Sequence, residues 1–137
     1  MKLVKILEGQ GPVILTQPHG GTFIPDNLLN HFNELGQKMP DTDWHINRLY
    51  EGLLKRATVV QAIFSRYLID VNRSPNGHSL YPGENTTELC PTIDFSGNSI
   101  YKFGMEPDSE EIEKRIKKFH SLYHNAIIEQ LNRLRQK

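Results

Sequence analysis

Val13-Ile14-Leu15-Thr16-Gln17-Pro18-His19-Gly20-Gly21-Thr22-Phe23-Ile24-Pro25 decides how the chain is read. The apolar run at 13–17 reads as a buried strand and then stops abruptly. Pro18 removes a backbone donor and fixes φ, and two glycines permit tight backbone angles. One imidazole, His19, therefore stands at the end of a strand, where α/β proteins gather ligands and metals. Working outward, Thr58–Ile63 is β-branched and apolar and reads as a second strand. Ser65 to Arg73 reads as a third, with Arg66, Asp70 and Asn72 on one parity and so on one face. Strands alternating with helical segments predict an α/β domain of three layers, with a mixed, mainly parallel sheet.

The chain has 137 residues, enough for one domain with a modest core. Sixteen acidic and sixteen basic residues leave zero formal net charge, which argues against nucleic acid or an anionic membrane as the main partner. No apolar run reaches the length of a membrane span, and the charged start Met1–Glu8 does not read as a signal peptide. A single cysteine, Cys90, precludes an intramolecular disulfide, so the default expectation is a cytoplasmic protein.

Elsewhere the patterns are local. Residues 2–7 alternate and fit an edge strand; Gly9–Pro12 is a turn. Pro25-Asp26 opens a short helix bearing Leu28, Leu29 and Phe32, with Gly36 as its end. Asp41 or Thr42 can cap a following helix whose apolar face is Ile46, Leu49, Tyr50, Leu53 and Leu54, so that Asp43 and His45 fall in its first turn. Residues 74–108 are rich in Pro, Gly, Asn and Thr. They also hold Tyr81, Leu89, Phe95, Tyr101 and Phe103, which predicts an ordered excursion with a hairpin near 95–101. Asp108 or Ser109 caps a last helix of about 27 residues, roughly 40 Å long, striped by Ile112, Ile116, Phe119, Tyr123, Ile127, Leu131 and Leu134. Arg133, Arg135 and Lys137 suit the negative end of its dipole.

The residues that can carry chemistry are His19, Asp43 and His45, with Arg66, Asp70, Asn72 and Arg73. Histidine and carboxylate suit zinc, and arginine forks suit a substrate carboxylate. Plain readings stand beside these. His19 can cap a turn, Asp43 can be an ordinary acid at a helix start, and Arg66 with Asp70 can be a structural ion pair. Trp44 reads as core or rim, and Cys90 as a small buried side chain. His31 and His78 read as surface or loop residues. His120 and His124, four apart, have metal-ligand spacing but sit beside Phe119 and Tyr123 on the packing stripe.

Several motifs in order then resemble one family. They are Pro18-His19-Gly20-Gly21-Thr22-Phe23-Ile24-Pro25, Asp41-Thr42-Asp43-Trp44-His45-Ile46-Asn47-Arg48-Leu49-Tyr50, and Ser65-Arg66-Tyr67 with Asp70-Val71-Asn72-Arg73. Leu80-Tyr81-Pro82-Gly83, Asn85-Thr86-Thr87, Leu89-Cys90-Pro91-Thr92, Glu106-Pro107-Asp108 and Tyr123-His124 follow. From about residue 11 onward the chain resembles the N-formylglutamate amidohydrolases (N-formylglutamate deformylases), enzymes of histidine degradation. The resemblance implies a zinc-exopeptidase (phosphorylase/hydrolase-like) fold and hydrolysis of N-formylglutamate, or a close N-acyl amino acid, to glutamate and formate. It implies one zinc, held by His19 and Asp43, with Asp41 or His45 as weaker choices for the second ligand. Arg66, Asn72 and Arg73 would hold the substrate's carboxylates. The family usually carries Ser at the place of Gly20 and often Asp at that of Asn47. Its third metal ligand and general base would lie beyond Lys137, so residues 1–137 are expected to be a single, partial, truncated domain. The alternative is a catalytically silent domain that binds small acidic ligands. Truncation would also leave apolar surface open to self-association.

Overall fold

The computed structural model describes residues 2–49, 54–76 and 88–136. Its centre is the strand predicted at 58–63. Three β-branched residues open β3 (Thr58–Ala62), and Thr58, Val60 and Ala62 point into the core. On one side β1 (Val4–Leu7) pairs with it antiparallel, Val4 opposite Ala62. On the other β2 (Ile14–Gln17) pairs parallel, Ile14 opposite Thr58. The order β1-β3-β2 makes the expected edge strand an edge. With one ladder of each kind, the described sheet is mixed rather than mainly parallel.

Short helices connect the strands. α1 (Asp26–Leu29) follows Pro25 as expected. Gly36 does not end it; Gly36 lies buried inside a second turn of helix, α2 (Glu34–Lys38). Asn33 caps α2, its side-chain oxygen accepting the Gly36 N–H at 2.8 Å. The segment at 41–45 is not helical either. The Asp43 N–H is bonded to the His19 carbonyl at 2.9 Å, and His45 has φ +63°, so α3 begins only at Ile46 (Ile46–Leu49). Asp41 and Thr42 therefore cap no helix, and Leu49 is exposed rather than on a buried face. Tyr50 and Leu53 lie outside the described residues, as do His78, Tyr81, the Leu80–Gly83 motif and Asn85–Thr87.

The predicted strand at 65–73 is absent. Phe64 and Ser65 make isolated parallel bridges with Phe23 and Gly21, and the chain then turns. Its polar side chains supply the reason, because they offer the backbone local partners that compete with a ladder. The Ser65 hydroxyl accepts the Tyr67 N–H at 3.1 Å, and the Asp70 carboxylate accepts the Asn72 N–H at 2.9 Å. Strand parity fails accordingly: Arg66 and Asp70 are buried while Asn72 is exposed.

Beyond residue 88 the expectations hold better. Ile93 bridges Ser99 antiparallel around a turn in which Gly97 takes φ +86° and the Asp94 carboxylate accepts the Ser96 and Asn98 N–H groups. Asp108 caps α4 (Ser109–Arg115) through the Glu111 N–H at 2.8 Å. α4 continues through a π turn (Ile116–His120) into α5 (Ser121–Arg135). α5 packs on β1 and β3, and Phe119 meets Phe64 with ring centroids 5.2 Å apart. Arg133 does more than suit a dipole. It donates to the Gly9 carbonyl and the Thr58 hydroxyl and pairs with Glu8, pinning the helix end to the β1–β2 turn. Among the described residues no helix is long and apolar enough to cross a membrane.

Two predictions follow from this packing. A Cβ at Gly21 would meet the backbone of Ile63, which cannot move without breaking the sheet end. Gly21→Ala should therefore cost about 3 kcal/mol in urea unfolding, the upper range for overpacking, whereas a change at Gly36 would strike the Ile100 carbonyl in the same way. Cys90 is buried, and burial pushes its thiol up to about 11 despite the nearby Arg115. Its reaction with Ellman's reagent at pH 8 should wait for unfolding, and rise in step with denaturant rather than proceed in the native protein.

Candidate active site

The site is built on the strand end that β2 provides and on the turn after β3. His19 follows Gln17-Pro18 out of β2, and its Nε2 lies 2.7 Å from Asp70 Oδ1. Asp70 is wholly buried. Burial pushes its pKa up, but the bond and charge of His19, the Asn72 N–H and Arg66 outweigh that and hold it below the ordinary value. An ionised carboxylate only accepts, so His19 donates from Nε2. The other ring nitrogen, Nδ1, is 4.0 Å from Asp43 Oδ2. Asp43 is half-exposed and is carried there by its backbone bond to His19.

Arg66 is bound into the protein. Its Nη2 is 3.4 Å from Asp70 Oδ2, its Nη1 donates to the Asp41 carbonyl at 3.3 Å, and its guanidinium lies 4.7 Å from the Phe95 ring centroid. The plain reading of Arg66 with Asp70 as an ion pair is thus realised, on a turn rather than a strand. Asn72 and Arg73 follow directly, Asn72 exposed and Arg73 partly so. The Asp41 carboxylate faces another way. It accepts the Tyr67 hydroxyl at 2.6 Å and the Phe95 N–H at 3.0 Å. Burial first, and Asp41 second, push the Tyr67 phenol well above its ordinary range. His45 is exposed next to Trp44, which is also exposed.

Sequence reading passed over two features. One is Asp41 as the residue tying the 94–98 turn to Tyr67; a carboxylate that follows a proline and opens a DxD pattern gave no hint of a partner 54 positions away. The other is the bonding of His120 and His124, which donate to the Arg73 and Val71 carbonyls at 2.8 and 2.7 Å. A Cβ at Gly20 would fall 2.5 Å from Ile46 Cγ2, the movable end of a side chain.

The donor set fits a metal in part. Two ligands of a tetrahedral zinc stand about 3.4 Å apart, and a modest movement of the half-exposed Asp43 side chain brings its oxygen to that distance from His19 Nδ1. Asp70 behind Nε2 is the outer carboxylate that commonly orients a ligating histidine. Among the described residues no three potential ligands converge.

The family model for N-formylglutamate amidohydrolase matches residues 11–137. The chain belongs to the N-formylglutamate amidohydrolase family. It is 35% identical over 136 residues to an N-formylglutamate deformylase of Pseudomonas putida, covering 98% of this chain and 51% of that protein. A deformylase of the same name from Pseudomonas aeruginosa is 33% identical over 135 residues, 98% of this chain and 50% of that protein. The chain thus spans about half the length of the curated relatives it matches. The crystal structure of an N-formylglutamate amidohydrolase from Ralstonia eutropha JMP134 shares the fold with a TM-score of 0.76 at 21% identity, over 99% of this chain and 54% of that one. A gene product of Agrobacterium tumefaciens does so with a TM-score of 0.69 at 20% identity, over 99% and 52%.

Asp41 offers a test of the framework around the site. Asp41→Ala removes the acceptor for both Tyr67 and Phe95, and hydrogen bonds to a charged group are worth about 1.5–3 kcal/mol each. Unfolding in urea should show a loss of about 2–3 kcal/mol at unchanged m, and the Tyr67 phenol should ionise at lower pH in a spectrophotometric titration.

Proposed function

We propose that this chain carries part of the active site of a zinc-dependent amidohydrolase that cleaves N-formyl-L-glutamate to L-glutamate and formate. The observation that carries the reading is the His19–Asp43 pair. With Nε2 donating to Asp70, Nδ1 of His19 faces the Asp43 carboxylate at 4.0 Å. That arrangement is favourable only when a cation, proton or metal ion, is shared between them. Family membership and relatives named as N-formylglutamate deformylases support the substrate. The proposed setting is cytoplasmic histidine degradation, and the proposed whole-protein fold is the three-layer, zinc-exopeptidase-like one.

Each residue then has a role. His19 and Asp43 hold the metal, with a further ligand from outside the described residues. When bound, zinc supplies Lewis-acid activation of water and of the formyl carbonyl. Asp70 fixes the His19 ring and its proton. Arg66 is already spent on Asp70, Asp41 and Phe95, so it keeps Asp70 ionised and in place. Recognition of the substrate's carboxylates passes to Arg73, whose fork pairs bidentately, and to the Asn72 amide. Hydrolysis adds water across the amide C–N bond and releases the two acids.

In a protein completed to the length of its relatives, metal analysis should give about one zinc per chain, and His19→Ala should abolish it. Formate release from N-formylglutamate should follow the zinc. Arg73→Ala should raise KM at least tenfold, the loss of a charge-assisted bond. Tight N-formylglutamate binding without zinc and without formate would replace this reading with the silent acid-binding domain.

A further inference from the structure

The segment 66–73 carries Arg66, Asp70, Asn72 and Arg73 yet belongs to no ladder; the Asp70 carbonyl accepts the Arg73 N–H at 3.1 Å, and other carbonyls need donors from elsewhere. Three come from one continuous helical rod. Arg115 Nη1 donates to the Leu68 carbonyl at 3.0 Å, His124 Nε2 to Val71 at 2.7 Å, and His120 Nε2 to Arg73 at 2.8 Å. Arg115 is 1% exposed and is itself held by Tyr101 and Glu111.

The spacing explains why the helix is irregular. Arg115 and His120 are five residues apart, roughly 140° off a common face of an ideal α-helix. The π turn at Ile116–His120, closed by the Ser121 N–H on the Ile116 carbonyl, returns to nearly the same face after five residues. His124 then follows one α-turn later. The rings of His120 and His124 pack with centroids 4.5 Å apart. The two imidazoles grip the Val71–Asn72 and Arg73–Ser74 peptide groups, which bracket Asn72 and Arg73 and fix the backbone from which both project.

We propose that His120 and His124 are positioning residues: their Nε2–H groups clamp the Val71 and Arg73 carbonyls, set the direction of Asn72 and Arg73, and so tune affinity for the substrate's carboxylate. The substrate part of this rests on the reading given under Proposed function; the clamp itself does not. Nothing in it depends on a metal: both bonds are to backbone carbonyls.

Four variants test it: His120→Ala, His124→Ala, and the glutamine variants, since Gln Nε2 reproduces the lost donor without an imidazole. In 1H–15N spectra of the ligand-free protein, both imidazoles should show the Nε2–H tautomer. The alanine variants should displace the Asn72 and Arg73 amide resonances while those of Val60 and Ala62 stay put, and His124→Gln should restore them. In calorimetry, N-formylglutamate affinity should fall about tenfold in His124→Ala and recover in His124→Gln. Unmoved Asn72 and Arg73 resonances overturn the clamp. Moved resonances with unchanged affinity overturn its bearing on the substrate. Failure of the wild-type protein to bind N-formylglutamate sinks the functional reading instead, and the amide shifts then decide the clamp alone. If an alanine variant does not fold, the glutamine variant decides by the same resonances.

Discussion

One buried carboxylate sets the terms for the rest of the site. Asp70 is inaccessible to water, and a charge there is costly unless it is paired and fully hydrogen-bonded. The chain answers with a histidine from the loop after β2, a guanidinium four residues back, and a backbone N–H two residues on. Each of these fixes something else. The histidine bond orients the His19 ring and its free nitrogen. The arginine bond draws Arg66 inward, where its second arm reaches the Asp41 carbonyl and its face meets Phe95. The N–H bond forces the turn that ends any strand.

That last consequence explains the largest difference between sequence and structure. Ser65 to Asn72 has the alternation of a strand, and alternation is the main strand signal. It also has Ser and Asp at positions where their side chains satisfy nearby backbone groups, and those local bonds win. Periodicity likewise located the last helix and its buried Phe119 and Tyr123. It could not show the π turn, because a single inserted residue leaves the apolar spacing of three and four nearly intact. What marks the insertion is polar: Arg115, His120 and His124 share a face only if the helix widens between them.

The strands at 14–17 and 58–62, the edge strand, the Asp108 cap and the turn near Gly97 were legible because each is a local pattern. The site was legible in outline for the same reason: two breakers isolate His19 at a strand end, and a DxD segment announces acids. The division of labour among those acids was not legible. Asp41, Asp43 and Asp70 are the same residue type, and only the fold distinguishes them. One anchors a loop through Tyr67, one is half-exposed beside His19 Nδ1, and one is sealed behind Nε2.

The burial of Arg66 bears on how the proposed substrate would be recognised. An arginine that has already neutralised an internal carboxylate cannot also bind a carboxylate from solution at full strength, because its donors and its charge are shared. If Arg66 instead reached for the substrate, Asp70 would lose its ion pair, its pKa would climb with burial, and the His19 bond would weaken with it. Orientation of the histidine therefore requires that Arg66 stay inward. Under the proposed function, recognition of a carboxylate falls to the next arginine along, Arg73, which is half-buried and whose backbone carbonyl is held by His120 of the helix. The same segment thus differs in depth: its buried end orients His19, and its outer end, Asn72 and Arg73, is the one proposed to meet a ligand.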